Sequence, residues 1–193
     1  MIMPHPPLAL RILNQLAMVC ALVAGAAVAI LAVLIVVDVL GRSLFGYSLQ
    51  GTDELGGYVL ALCGSLGLSW ALVKRAHPRI DLGFRFFGIR LRAALHVLAH
   101  ASLAGFALFM AWHAYGELAA TLRFGAVTNT PLQTPLWVPQ GLWLVGLVQF
   151  AITALAMALH GAWLMSLDLD AVSRIYGPPT VQDEVGEYVA QEG

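Results

Sequence analysis

The chain has 193 residues, 60% of them hydrophobic and 11% charged, with a mean hydropathy of +0.80. A water-soluble domain keeps about a quarter of its residues charged, so this composition excludes one and puts the chain in the integral membrane class. The formal net charge of -1 gives no basis for binding nucleic acid.

Charge-free windows mark the spans. Ile12 to Val37, Leu55 to Val73 and Ala93 to Gly116 each suit one helix, and Phe124 to Leu167 is longer. A membrane helix needs about 20 apolar residues. Three prolines in TNTPLQTPLWVP interrupt the last window, so Thr128 to Pro135 reads as loop. Backbone polar groups in lipid must be paired internally, which helices achieve. The expected fold is all-α integral membrane, with transmembrane helices at 14–38, 54–73, 93–116 and 136–164. They form a single four-helix domain over 1–167, followed by an acidic, loosely ordered cytoplasmic tail over 168–193. Ala24-Gly25-Ala26 offers a small-residue triplet of the kind found at signal cleavage sites. The apolar run continues well past it, however, so the first helix reads as an uncleaved span.

Four spans place both termini and the middle loop on one side. That side carries eight basic residues: Arg11, Lys74, Arg75, Arg79, Arg85, Arg90, Arg92 and Arg174. The other carries two, Arg42 and Arg123. The bias makes both termini cytoplasmic. The middle stretch, KRAHPRIDLGFRFFGIRLR, holds six of the ten Lys and Arg residues. In helical register Asp81, Arg85, Gly88 and Arg92 form one stripe and Ile80, Phe84, Phe87 and Leu91 another, with Pro78 suited to the first turn. The stretch reads as a short interfacial amphipathic helix between helices two and three, charges toward lipid phosphate. Arg90 departs from the pattern, and a plain basic loop is the alternative.

Few ionisable groups accompany the spans. Asp38 and Arg42 sit four apart at the outer end of helix one and can pair. Asp53 and Glu54 open helix two at the positive end of its dipole, with Thr52 as a capping residue. His96, His100 and His113 lie in helix three and His160 in helix four. His100 and His160 share a depth, so one haem is conceivable, although hydrogen bonding across the bundle also accounts for them. Cys20 and Cys63 read as small buried hydrophobes. Small residues, Gly64 and Gly67 in helix two and Ala21, Ala24, Gly25, Ala26, Ala27, Ala29 and Ala32 in helix one, suggest close helix packing. No nucleophile stands beside a base, and no metal-spaced cluster or phosphate loop is present, so neither an enzyme nor a cofactor is expected. An alternating-access carrier needs broken helices and polar sites near mid-membrane. These spans are short of both, which points to an accessory membrane subunit.

At this point the chain resembles the small membrane subunit, DctQ type, of tripartite ATP-independent periplasmic (TRAP) transporters. The likeness begins at DVLGRSLFGYSLQGTDELGGYVLALCGSLGLSWAL, with Arg42, Phe45, Asp53, Glu54 and Tyr58 at the family's positions. HPRIDL follows, with His77, Arg79, Ile80 and Asp81, and then TPLQTPLWVPQGLW at the entry to helix four. It covers Val37 to Leu164. The family commonly has an aromatic before the acidic pair, where this chain has Gln50-Gly51-Thr52. The resemblance implies a bacterial inner-membrane scaffold for a large multi-span permease subunit. That partner would carry the sodium and substrate sites and move as an elevator. A periplasmic substrate-binding protein would deliver organic acids or other carboxylates. Arg42, Asp53, Glu54, Tyr58, His77, Arg79, Asp81, Arg85 and Arg92 become candidates for contact with partners or membrane lipid. The competing readings are a b-type cytochrome or quinone-linked anchor, the small subunit of a tripartite tricarboxylate transporter, and a purely structural membrane protein.

Overall fold

A computed structural model describes residues 7–76 and 87–177. The described residues form five helices: α1 (Leu8–Phe45), α2 (Thr52–Val73), α3 (Ile89–Phe124), α4 (Trp137–Met165) and α5 (Leu169–Tyr176). The first four are long and apolar enough to cross a membrane. The proposed interfacial helix falls largely on 77–86 and so lies outside the described residues.

Two helices overrun the charge-free windows. α1 has 38 residues and α3 has 36, about 57 and 54 Å at 1.5 Å per residue. Each therefore extends beyond a hydrocarbon layer about 30 Å thick. Charge-free windows locate the apolar middle of a helix. They miss end turns that carry charge, such as those with Arg11 or with Glu117 and Arg123. Left-handed glycines, Gly46 (φ 64°) and Gly125 (φ 60°), stop both helices.

The helices stand in a row rather than a closed ring. α1 packs on α2, α2 on α4 and α4 on α3, and α3 joins the row through α4 and α5. α4 is thus the central element: 39% of its most apolar window is buried, against 6% for α1. Apart from Ala21, the buried and half-buried positions of α1 are Leu10, Leu13, Ala17, Cys20, Ala24, Ala27, Leu31, Leu34, Asp38 and Gly41. They alternate four and three apart, the period of a left-handed helix pair. Gly25, Ala26, Ala29 and Ala32 face outward instead.

The close crossing of α2 and α4 uses residues other than the expected glycines. A Cβ added at Gly64 or Gly67 would meet nothing within 4 Å. Gly146 of α4 rests against Ser65 of α2, so the small pair that lets these backbones approach is Ser65 with Gly146. Beside it Leu72, Ala104, Ala107, Phe150, Ala151 and Ala154 form one buried cluster from three helices.

The tail is not all loose chain. Asp168 caps α5, its Oδ1 accepting from the amides of Asp170 (2.9 Å) and Ala171 (3.1 Å). Val172 and Tyr176 are buried with Ala93 of α3 and Leu164 of α4. The acidic composition of the tail concealed an amphipathic turn whose apolar side closes over the ends of α3 and α4.

Candidate functional site

The polar side chains gather at the two ends of the row. At the hairpin end, where the α1–α2 and α3–α4 connections lie, Asp38 pairs with Arg42 as its spacing predicts. Asp38 does more than pair. Its Oδ1 accepts from the Leu49 amide at 2.7 Å and from Ser48 Oγ at 3.2 Å. Asp38 is 3% exposed, whereas the Arg42 side chain is 59% exposed. The carboxylate therefore ties down the α1–α2 turn, and the guanidinium is displayed outward.

Glu54 is clamped from three directions. Tyr58, one turn along α2, donates to it. Thr128 Oγ1 donates at 2.9 Å and Thr130 Oγ1 donates from the same loop. Thr128 Oγ1 in turn accepts from the Thr134 amide at 2.9 Å and lies 2.8 Å from Thr130 Oγ1. The loop itself is closed by Thr128 N to Thr134 O (3.0 Å) and Leu136 N to Ala126 O (3.1 Å). A charged acceptor with this many donors is among the stronger polar anchors available to a protein, and here it fastens the α3–α4 loop to the start of α2.

The expected cap at Thr52 is corrected. Gly51 is the N-cap residue, and Thr52 Oγ1 donates to the Leu49 carbonyl at 3.1 Å. Gly51 has φ 92°, and a Cβ there would lie 1.6 Å from Leu132 Cδ1. This explains why the chain has glycine before its acidic pair. Leu132, from the loop that Thr128 and Thr130 anchor, occupies the space a side chain would need.

Asp53 stays exposed beside this anchor. Together with Ile35, Asp38, Arg42, Thr52 and Gly56 it lines an open cleft of about 750 Å³. Arg42 and Asp53 thus share one surface, and Glu54 and Tyr58 share one network. Arg92 lies apart, half-buried near the start of α3 at the other end. His77, Arg79, Asp81 and Arg85 lie outside the described residues. Thr128 and Thr130 were not found by sequence reasoning, because their partner is 74 and 76 residues away.

At the tail end the histidines are engaged within the protein. His100 Nδ1 donates to the His96 carbonyl at 2.8 Å, and its ring meets Tyr176 edge-on with centroids 5.0 Å apart. His160 Nδ1 and the Tyr176 hydroxyl share a hydrogen bond of 2.5 Å. Burial pushes the Tyr176 phenol pKa up, with Arg75 opposing, so the group stays protonated. Both rings pack on Tyr176, with centroids 5.0 Å away for His100 and 5.9 Å for His160. His113 lies elsewhere, exposed and packed on Phe109. No group of three metal-ligating side chains occurs among the described residues.

Long apolar helices with polar groups at both ends define a multi-pass helical membrane protein. The family model for "Tripartite ATP-independent periplasmic transporters, DctQ component" matches residues 31–162, more than half of the chain. The protein belongs to this family and is a TRAP transporter small membrane subunit. No curated protein and no solved structure matches it.

Proposed function

We propose that the protein is the static scaffold of a TRAP transporter in the bacterial inner membrane, with both termini cytoplasmic and the hairpin end periplasmic. It holds a larger, sodium-coupled, elevator-type permease subunit, which takes up organic acids or other carboxylates delivered by a periplasmic binding protein. The observation that carries this reading is the form of the row. α1 to α4 run unbroken, and both connections at the hairpin end are fastened by Asp38 and Glu54. A carrier that alternates its access needs discontinuous helices around a polar midpoint. A scaffold needs a rigid frame and a broad apolar flank. The outward side of α1, from Val19 through Val23, Ile30 and Val33 to Val37, supplies such a flank. The exposed Arg42 and Asp53 of the open cleft are the groups we assign to partner contact. The basic stretch from Lys74 to Arg92 anchors the cytoplasmic face to lipid phosphate.

The test is co-purification of the tagged chain from its native membrane in mild detergent, followed by mass spectrometry. A large multi-span permease at near-equal stoichiometry is expected. A chain that purifies intact without one overturns the scaffold reading. Neutralising Arg79, Arg85 and Arg92 together is expected to impair assembly or uptake, and unchanged uptake at normal expression counts against the anchoring role.

A further inference from the structure

A second cavity, about 380 Å³, opens at the tail end among α1, α2, α4 and α5. Its walls are largely apolar, with Leu13 and Met157 among them, and Arg11, Lys74 and Arg75 line it too. Among the described residues, no carboxylate lines it. The three cations come from the margins of two spans: Arg11 lies in the first turns of α1, and Lys74 and Arg75 directly follow α2. The size suits a headgroup and the beginning of its chains.

The backbone at Arg75 is the second observation. Arg75 N donates to the Leu72 carbonyl (3.1 Å) and Ala76 N to the Ala71 carbonyl (2.8 Å). This is the paired pattern that closes many helices, with Arg75 at the position usually taken by glycine. Its φ is 55°, in the left-handed region that costs an ordinary residue roughly 1–2 kcal/mol. Folding alone favours glycine here, yet the chain carries a cation that lines the cavity. The Lys74 ammonium sits 5.1 Å over the Trp70 ring, which holds it at the same end.

We infer that this cavity is a binding site for one anionic glycerophospholipid, its phosphate held by Arg11 and Arg75 with Lys74 adding charge, and its chains entering along Leu13 and Met157. Guanidinium groups suit phosphate because their paired N–H groups match its oxygens. The apolar walls favour a lipid over a free anion. The inference needs only the membrane setting and goes beyond the scaffold reading. The lipid would mortar α1 to α2, α4 and α5, the elements whose residues line the cavity.

The experiment is native mass spectrometry of the delipidated full chain titrated with phosphatidylglycerol, phosphatidylcholine or inorganic phosphate, alongside thermal unfolding in detergent. One phosphatidylglycerol per chain is expected, bound in preference to phosphatidylcholine and not displaced by millimolar phosphate. Each cation contributes about fivefold in affinity, so Arg11→Gln with Arg75→Gln weakens binding about 25-fold. Arg75→Gly relieves the left-handed conformation, so it holds or raises the lipid-free unfolding temperature while weakening lipid binding about fivefold. It carries the test should the double variant not fold. Equal retention of both lipids, full retention by Arg75→Gly, or displacement by inorganic phosphate overturns the proposal.

Discussion

Gly146 of α4 lies directly against Ser65 of α2. A Cβ built on Gly146 would lie 2.4 Å from Ser65 Oγ and 2.8 Å from its carbonyl carbon. The second distance matters more, because a hydroxyl can rotate and backbone cannot. Gly146→Ala is therefore expected to push the helices apart, at a cost of about 1–3 kcal/mol for overpacking. Gly67→Ala faces open space and replaces a helical glycine, so it is expected to be neutral or stabilising by up to about 1 kcal/mol. Thermal unfolding of both variants in detergent checks the contrast. Equal effects would show that the crossing is not set at Gly146.

Glu54, Thr128 and Thr130 form a unit, so their losses should not add. Glu54→Gln keeps the shape and removes the charge that the three hydroxyl donors face. Thr130→Val removes one of those donors. Each single variant is expected to lower the unfolding temperature, and the double variant to lower it little further than Glu54→Gln alone. A double-mutant cycle by thermal unfolding measures the coupling. Simple additivity would mean that the α3–α4 loop is not held through this carboxylate.

The long helices were readable because charge is so rare that its absence marks them. The 4-3 alternation of Leu13, Ala17, Cys20 and Ala24 was also present in the sequence, but many alanines surround it and only packing tells which of them face α2. Gly64 and Gly67 illustrate the same limit: small residues permit close approach without locating it, and α4 approaches at Ser65. Glu54 was legible as a helix-opening acid, whereas its threonine partners depend on a loop brought in from far along the chain. The pieces of α5 were all visible, with Asp168 as cap and Val172, Ile175 and Tyr176 spaced for one face. Net acidity drew attention away from that spacing.

Asp38 and Arg42 are expected to respond unequally to substitution. Asp38→Ala strands the Leu49 amide and the Ser48 hydroxyl along with the guanidinium. Arg42→Ala leaves the carboxylate with its two turn donors, and the lost pair is a largely exposed one of little worth. Asp38→Ala should therefore lower the unfolding temperature clearly, and Arg42→Ala only slightly. If Arg42 contacts a partner, its variant instead shows up as weaker co-purification at unchanged stability. Equal destabilisation by the two variants would show that the ion pair, not the turn, is what Asp38 supports.

Tyr176 is the side chain through which α5 is expected to stabilise the bundle. Tyr176 is 3% exposed, shares a hydrogen bond with His160 and packs on His100. Tyr176→Phe keeps the ring and is expected to cost about 1 kcal/mol, the net worth of one hydrogen bond. Tyr176→Ala also empties the space among Ala93, Leu164 and Val172, so about 3 kcal/mol or more is expected. A chain ending at Gly177 retains α5 and is the reference for a shorter truncation. A chain ending at Leu167 loses the Asp168 cap, Val172 and Tyr176 together, and should unfold at a clearly lower temperature and be cleaved faster by protease. If the two truncations behave alike, α5 contributes nothing to the fold, and the 168–193 segment is the simple acidic tail that its composition suggests.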